Sequence, residues 1–250
     1  MNYFTVNLPI FELDDNEKIK IPDFVKNIWF DVGTSFNSPN SIYFLKRNPK
    51  GFVICFEPDP RMYFGVYARH YVSENVWLVD NNHPTAKIER DKRTRNGLHS
   101  SFCENTEEFV KENDVLTRYI IVPTAISNSE GHKLLYLDKH HGSSSFSGKS
   151  VSPTGKSHYV PTFPLSKFIK MILDRFEHID HLKIDAEGHD INVLESGDIT
   201  KFVVITMEMR DDKYLESRGF RFIKAQNGGH SYVNKKYEHL LSGIDYHIRG

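Results

Sequence analysis

The chain has 250 residues, 39% of them hydrophobic and 13% aromatic, which supplies enough apolar mass for a packed core and excludes wholesale disorder. The formal charge is −1 with a pI near 6.9, and Lys and Arg are spread along the chain, so nucleic acid is not expected as the main partner. Cys55 and Cys103 are too few for a disulfide framework or a thiolate zinc site. No apolar run approaches the ~20 residues that span a bilayer, and the start of the chain lacks a basic region followed by an apolar core. A soluble, reducing, cytoplasmic setting with no membrane partner is expected.

Residues 1–25 read as a leader carrying Glu12, Asp14, Asp15 and Glu17, with at most one edge strand. Ile28-Trp-Phe-Asp-Val is then a short apolar strand, followed by the turn Gly33-Thr-Ser-Phe-Asn. Ser38 can cap a helix that starts at Pro39 and presents Ile42, Phe44 and Leu45 on its apolar face. Asn48-Pro49-Lys50-Gly51 stops it. Phe52-Val-Ile-Cys-Phe is a second apolar strand, ended by Glu57-Pro-Asp-Pro60, and a helix is expected over 61–72. Val76-Trp-Leu-Val repeats the strand pattern. Residues 81–105 are polar and carry Lys87, Arg90, Lys92, Arg93 and Arg95, which reads as a surface insertion.

A short helix over 106–113 precedes the strand Tyr119-Ile-Ile-Val122, and Glu130-Gly131 turns into the strand Leu134-Leu-Tyr-Leu137. Residues 138–157, rich in Ser, Gly and His, read as a loop. Leu165–Phe176 is helical, with Phe168, Ile169, Ile172 and Leu173 on one face. Leu182-Lys-Ile-Asp-Ala-Glu-Gly-His-Asp190 follows as a strand leading to a helix that begins with Ile191, Val193 and Leu194. Phe202-Val-Val-Ile-Thr-Met207 is the last strongly apolar strand, and Asn227-Gly-Gly joins Phe220–Ile223 to Ser231–Asn234 as a hairpin. Strands apolar on both faces, alternating with helices, predict one α/β domain over residues 1–250, built on a mostly parallel, Rossmann-like sheet and closed by an antiparallel pair.

In such sheets ligands bind beyond the carboxyl ends of the strands. Three motifs fall there. The first, Asp31-Val-Gly33-Thr34-Ser35-Phe-Asn37, has a glycine that lets backbone approach a ligand closely and amides that can hold an anionic group; its competing reading is an ordinary strand-to-helix turn. The second, Glu57-Pro58, lies 24 residues beyond Gly33, where an acid can accept both hydroxyls of a ribose; a helix-capping carboxylate is the alternative. The third is Lys183-Ile-Asp185-Ala-Glu187, whose charges alternate and would share one side of a strand. Buried charges are costly unless they pair or work. A nicotinamide dinucleotide or S-adenosylmethionine would suit the first two motifs. Pyrophosphate binding wants more glycines than the Ser35, Asn37 and Ser38 found here, and the closing hairpin favours the methyltransferase form of the sheet.

At these residues the chain resembles the FkbM-like S-adenosylmethionine-dependent methyltransferases. Lys183-Ile-Asp-Ala-Glu-Gly188, Phe56-Glu-Pro58 and Gly142-Ser-Ser-Ser145 carry the resemblance, which covers about residues 26–235 and departs from the family at Asn37. It implies a class I methyltransferase fold and methyl transfer to oxygen, often on a sugar of a glycan or glycoside. Asp31, Gly33 and Ser35, with Thr34 and Asn37 of the same turn, would hold the methionine portion, and Glu57 with Pro58 the ribose. Thr124 and Ala125 would lie near the adenine, and Asp185 would face the reacting methyl.

A sugar hydroxyl needs help losing its proton, so Asp185 is expected to orient or deprotonate it. Glu187 and His189 are the other candidates, and Lys183 would shape the local charge. Asp185, Glu187 and His189 could also hold a divalent metal, although the metal-free site is preferred. His140-His141 are read as substrate contacts or solvated, and Glu208 as an acid facing the same crevice or a structural carboxylate. A ribose 2′-O-methyltransferase acting on RNA, a nicotinamide oxidoreductase and a non-catalytic cofactor-binding protein are the alternatives.

Overall fold

The structure is a computed structural model that describes residues 13–34, 39–59, 118–138, 143–148, 152–226 and 229–243. The helix expected over 61–72, the strand over 76–79, the insertion over 81–105, the helix over 106–113 and the histidine pair at 140–141 lie outside them. In chain order the elements are β1 (Asn27–Val32), α1 (Pro39–Arg47), β2 (Gly51–Phe56), β3 (Tyr119–Val122), β4 (Ala125–Ile126), β5 (Gly131–Asp138) and β6 (Pro153–Phe163). They continue with α2 (Leu165–Lys170), β7 (Ile179–Ile184), α3 (Asp190–Glu195), β8 (Phe202–Met207), α4 (Asp212–Ser217), β9 (Phe220–Gln226) and β10 (Gly229–Asn234), and a 3₁₀ segment follows at Lys235–Gly243.

Among the described residues seven strands form one sheet in the order β3-β2-β1-β7-β8-β10-β9. The first five are parallel; β10 runs antiparallel to both β8 and β9. This is the mostly parallel, Rossmann-like sheet with a closing antiparallel pair that the sequence leads one to expect. Because β1 connects outward to β2 on one side and borders β7 on the other, the strand order reverses between β1 and β7, which is where such sheets open a crevice.

The central strands are buried on both faces because helices cover both. On one face Phe30 packs edge-on against Phe56 and Phe202, and Phe56 meets Phe168 of α2 at 4.7 Å between ring centroids. On the other face Trp29 packs against Phe44 of α1 at 4.3 Å and stacks on His181 at 4.4 Å. Burial of each such ring stabilises the fold by about 1.5–3 kcal/mol. Phe44 and Leu45 of α1 are buried as the periodicity predicts; Ser38, the expected cap, and the Ile42 side chain are not among the described atoms. In the segment read as a leader, Ile19, Ile21 and Val25 join the core, and the Ile19 amide donates to the Met171 carbonyl at 3.3 Å.

Three expectations differ from the structure. Residues 153–163, inside and just beyond the stretch read as a loop, form the long strand β6, which pairs antiparallel with β5 and parallel with β4 in a second, three-stranded sheet. The apolar signal of β6 is confined to its C-terminal end, where Val160 is buried with Leu135 and Leu137, while most of 153–159 is exposed. The helix expected to reach Phe176 stops at Lys170 and continues as turns, although Ile172 stays buried. Strand β7 ends at Ile184, so Asp185 and Glu187 do not continue its alternation; Glu187 sits in a turn with φ +50°. Among the described residues no helix is long and apolar enough to cross a membrane.

Candidate active site

The parallel register lines up the strand ends. Val32 pairs with Phe56 and with Ile184, Phe56 with Val122, and Ile184 with Met207. The residues that follow, Gly33, Glu57, Asp185 and Glu208, therefore share one edge of the sheet. Three amides extend the ladder past the strands: Gly33 N–H donates to Phe56 O (2.9 Å), Glu57 N–H to Val122 O (3.2 Å), and Asp185 N–H to Val32 O (3.0 Å). Over this edge lies a cleft of about 230 Å³, bordered by Gly33, Glu57, Thr124 and Ala125 on one side and by Asp185 and Glu187 on the other.

Gly33 explains the tightness of the switch point. It has φ +73°, and a Cβ there would stand 1.8 Å from the Asp185 carbonyl oxygen. The close approach that glycine permits is thus first of all to the end of the neighbouring strand. Asp31 and Thr34 stand behind this turn and do not line the cleft. Asp31 is 0% exposed; its Oδ2 accepts from Thr34 Oγ1 (3.0 Å) and Ser41 Oγ (2.5 Å), and its Oδ1 lies 3.3 Å from Lys183 Nζ. Ser35 and Asn37 lie outside the described residues.

Lys183 is 5% exposed and likewise does not border the cleft. Its ammonium donates to Gly33 O (2.8 Å) and lies 3.4 Å from Asp185 Oδ2. Burial works to lower its pKa, but the Asp31 and Asp185 carboxylates outweigh burial and hold it protonated well above the usual lysine range. It acts as a fixed positive charge beneath the cleft that ties the ends of β1 and β7 together.

Glu57 is 6% exposed and lines the cleft, with Oε1 accepting from the Asp59 amide at 2.8 Å. Pro58 lies beside it in the wall. Asp59, buried next to it, accepts a hydrogen bond from Ser144 Oγ (2.8 Å), and Ser144 Oγ accepts one from the Asp138 amide (3.3 Å). Ser145 bridges to Tyr136. Ser144 and Ser145 are thereby fixed in the cleft wall. Thr124 donates to Pro161 O (2.8 Å), which holds the cleft wall to β6.

Among the three proton-handling candidates the environments diverge. Glu187 is half-buried among Asp185, Glu208, Asp190 and Asp138; burial first, then these negative charges, push its carboxyl up to about 7. His189 is pushed down to about 4 by burial and by Lys133, so its imidazole is neutral at physiological pH. Its Nε2 lies 3.1 Å from Ser127 Oγ, which also accepts from Lys133 Nζ, and its ring meets Phe146 edge-on at 5.1 Å. Asp185 keeps its salt bridge to Lys183 while its side chain remains 43% exposed to the cleft. Burial and Asp185 also raise the Glu208 carboxyl, as expected of an acid on the same edge. Asp185, Glu187 and His189 do not converge as a metal site, and among the described residues no group of three or more His, Cys, Asp or Glu side chains does so.

A model of the FkbM methyltransferase domain matches residues 31–232. The chain belongs to the FkbM methyltransferase family. Among solved structures it is similar to methyltransferase FkbM from Methylobacillus flagellatus KT, at 11% identity and a TM-score of 0.40, over 84% of this chain and 44% of that one. This chain thus spans less than half the length of that protein. No curated protein matches. The matched span runs from Asp31, the buried acid behind the glycine turn, to Tyr232 in β10, and so contains every described residue of the cleft in this FkbM chain.

Sequence reading passes over Asp59, Ser127, Lys133 and Asp190. Asp59 could have been found as an acid two residues from Glu57. Ser127 and Lys133 act through contacts with residues about sixty positions away, which no local pattern announces.

Proposed function

We propose that this chain is an S-adenosylmethionine-dependent O-methyltransferase whose acceptor is a sugar hydroxyl of a glycan or glycoside. The observation that carries the reading is one cleft at the switch point with Glu57 on one wall and Glu187 on the other. The described wall fits the cofactor: Glu57 offers a buried carboxylate suited to a ribose, while Ala125, Ile126 and Leu135 offer an apolar surface suited to an adenine. Gly33, Glu57, Pro58, Thr124 and Ala125 would hold it, and when bound it supplies an electrophilic methyl group.

The chain's own task is to present the acceptor oxygen and take its proton. Glu187 is the general base, because a carboxyl that titrates near 7 is matched to that work at neutral pH. Asp185, anchored by Lys183, orients the hydroxyl. His189, neutral and held at Ser127 and Phe146, shapes the pocket. The same acidic surroundings favour an uncharged glycoside over a phosphate-rich RNA, since Asp185, Glu208, Asp190 and Asp138 all add negative potential at Glu187.

Calorimetric titration with S-adenosylmethionine, S-adenosylhomocysteine and NADH tests the reading. Both adenosyl compounds should bind, Glu57→Gln should weaken each about tenfold, and NADH should not bind. Binding of NADH alone would replace the proposal with a nicotinamide enzyme, and RNA binding with a steep salt dependence would replace the acceptor.

A further inference from the structure

The turn that carries Glu187 has no regular structure of its own, yet it must hold a carboxylate in a left-handed conformation that L-residues adopt at a cost of about 1–3 kcal/mol. Asp190, three residues on, is 1% exposed although it carries a carboxylate. One of its oxygens, Oδ1, accepts from the Ala186 amide at 3.1 Å; the other, Oδ2, accepts from the Met209 amide at 3.3 Å. Ala186 lies in the wall of the cleft directly before Glu187, and Met209 directly follows Glu208. A buried carboxylate that spends both oxygens on the backbone of two loops, one in the cleft wall and one at the end of the neighbouring strand β8, is well placed to set how those loops sit.

We propose that Asp190 is a positioning residue for the acceptor side of the cleft: it clamps the Ala186–Glu187 turn to the loop after β8 and so fixes where the Glu187 carboxylate points. This rests on the reading of Glu187 as the base. Asp190 also adds to the negative field around that carboxylate, together with Asp185 at the end of β7, Glu208 at the end of β8 and Asp138 at the end of β5. The Lys183 ammonium beneath them opposes that field at Asp190 and Glu208. A residue that acts through position and field should reveal itself in both.

Asp190→Asn keeps the shape but turns one acceptor into a donor facing an amide N–H. In the ligand-free protein, the Glu187 carboxyl can be followed by carbon-13 NMR of labelled glutamate, its signal assigned by loss in Glu187→Gln. The expected result is a titration displaced to lower pH by about half a unit, with exchange of the Ala186 amide at least tenfold faster. In turnover, kcat should fall tenfold or more, with its acid limb displaced by the same amount and the affinity for S-adenosylmethionine within twofold. Asp190→Glu, which retains the charge and shifts the carboxylate by one methylene, should speed Ala186 exchange while leaving the Glu187 titration in place. It also serves as the test if the Asn variant does not fold. An unmoved Glu187 titration in Asp190→Asn, or unchanged Ala186 exchange in either variant, overturns the inference. If both move as expected but the wild-type protein methylates no acceptor, the role of Asp190 stands and the proposed function fails.

Discussion

On one side of the cleft Gly33 and Glu57 are fixed by backbone: their amides complete the ladder of the sheet, and Gly33 is pressed onto the Asp185 carbonyl. On the other side Glu187, His189 and the serine loop are held by side chains reaching across the fold, through Asp190, Ser127 and Asp59. At Gly33 the first wall leaves no room for another atom; the second is a set of separate ties, each removable alone. Packing of the first kind fails abruptly, whereas a set of ties loosens by degrees. Under the proposed function, the difference suits a division of labour in which one wall receives an invariant cofactor and the other accommodates an acceptor.

The largest effect is expected from Gly33→Ala. The added methyl meets backbone rather than a movable side chain, at a φ that already strains any L-residue. Separation of the ends of β1 and β7 also stretches the Lys183–Gly33 hydrogen bond. Binding of S-adenosylmethionine should be lost at every accessible concentration, and urea unfolding should show a destabilisation of at least about 2 kcal/mol. Wild-type affinity in this variant would show that the wall is not rigid.

An intermediate effect, with a distinctive pH signature, is expected from Glu187→Gln. In the folded chain the carboxyl titrates at about 7, above the 4.5 of an ordinary glutamate. Between those values the unfolded chain releases the proton while the folded chain keeps it, so stability falls as pH rises from about 4.5 to about 7 and is level beyond. The Gln variant lacks that penalty. Its melting temperature should exceed that of wild type at pH 8 and match it at pH 4, while kcat falls about a hundredfold or more. Wild-type kcat should rise through pH 7. A Gln variant that is no more stable at pH 8 would remove Glu187 from the role of base and return it to Asp185.

What could be read from the chain follows the same division. The Ile28–Val32, Phe52–Phe56 and Phe202–Met207 runs are apolar on both faces, so their burial and parallel pairing were legible, and with them the edge where Gly33, Glu57 and Asp185 meet. Asp180, buried in β7, was not legible as a structural acid; it accepts from the Ile28 amide at 2.6 Å across the sheet. Strand β6 was hidden because Pro153, Gly155, Ser157 and His158 carry little strand propensity, and its pairing with β5 supplies what its composition does not. The two acidic candidates looked alike in sequence; only burial and neighbours assembled from β5, β7, β8 and α3 separate Glu187 from Asp185.

The smallest effect should come from Ser144→Ala. The Ser144 hydroxyl joins three loops, donating to Asp59 Oδ2 and accepting from the Asp138 amide. Its removal takes one donor from a buried carboxylate, a loss of about 1.5–3 kcal/mol if nothing replaces it. The Ser145 bridge to Tyr136 remains and keeps the loop near its place, and water can reach Asp59 at the cleft, so the net destabilisation should be about 1 kcal/mol. Affinity for S-adenosylmethionine, measured by the same calorimetry, should weaken about threefold, with kcat little changed because Glu187 is tied elsewhere. That graded response, set against the abrupt loss in Gly33→Ala, is what distinguishes a wall of separate ties from one of packed backbone. If Ser144→Ala abolished binding as completely as Gly33→Ala, the serine loop would belong to the rigid wall, and acceptor choice would have to be sought nearer His189 and Phe146.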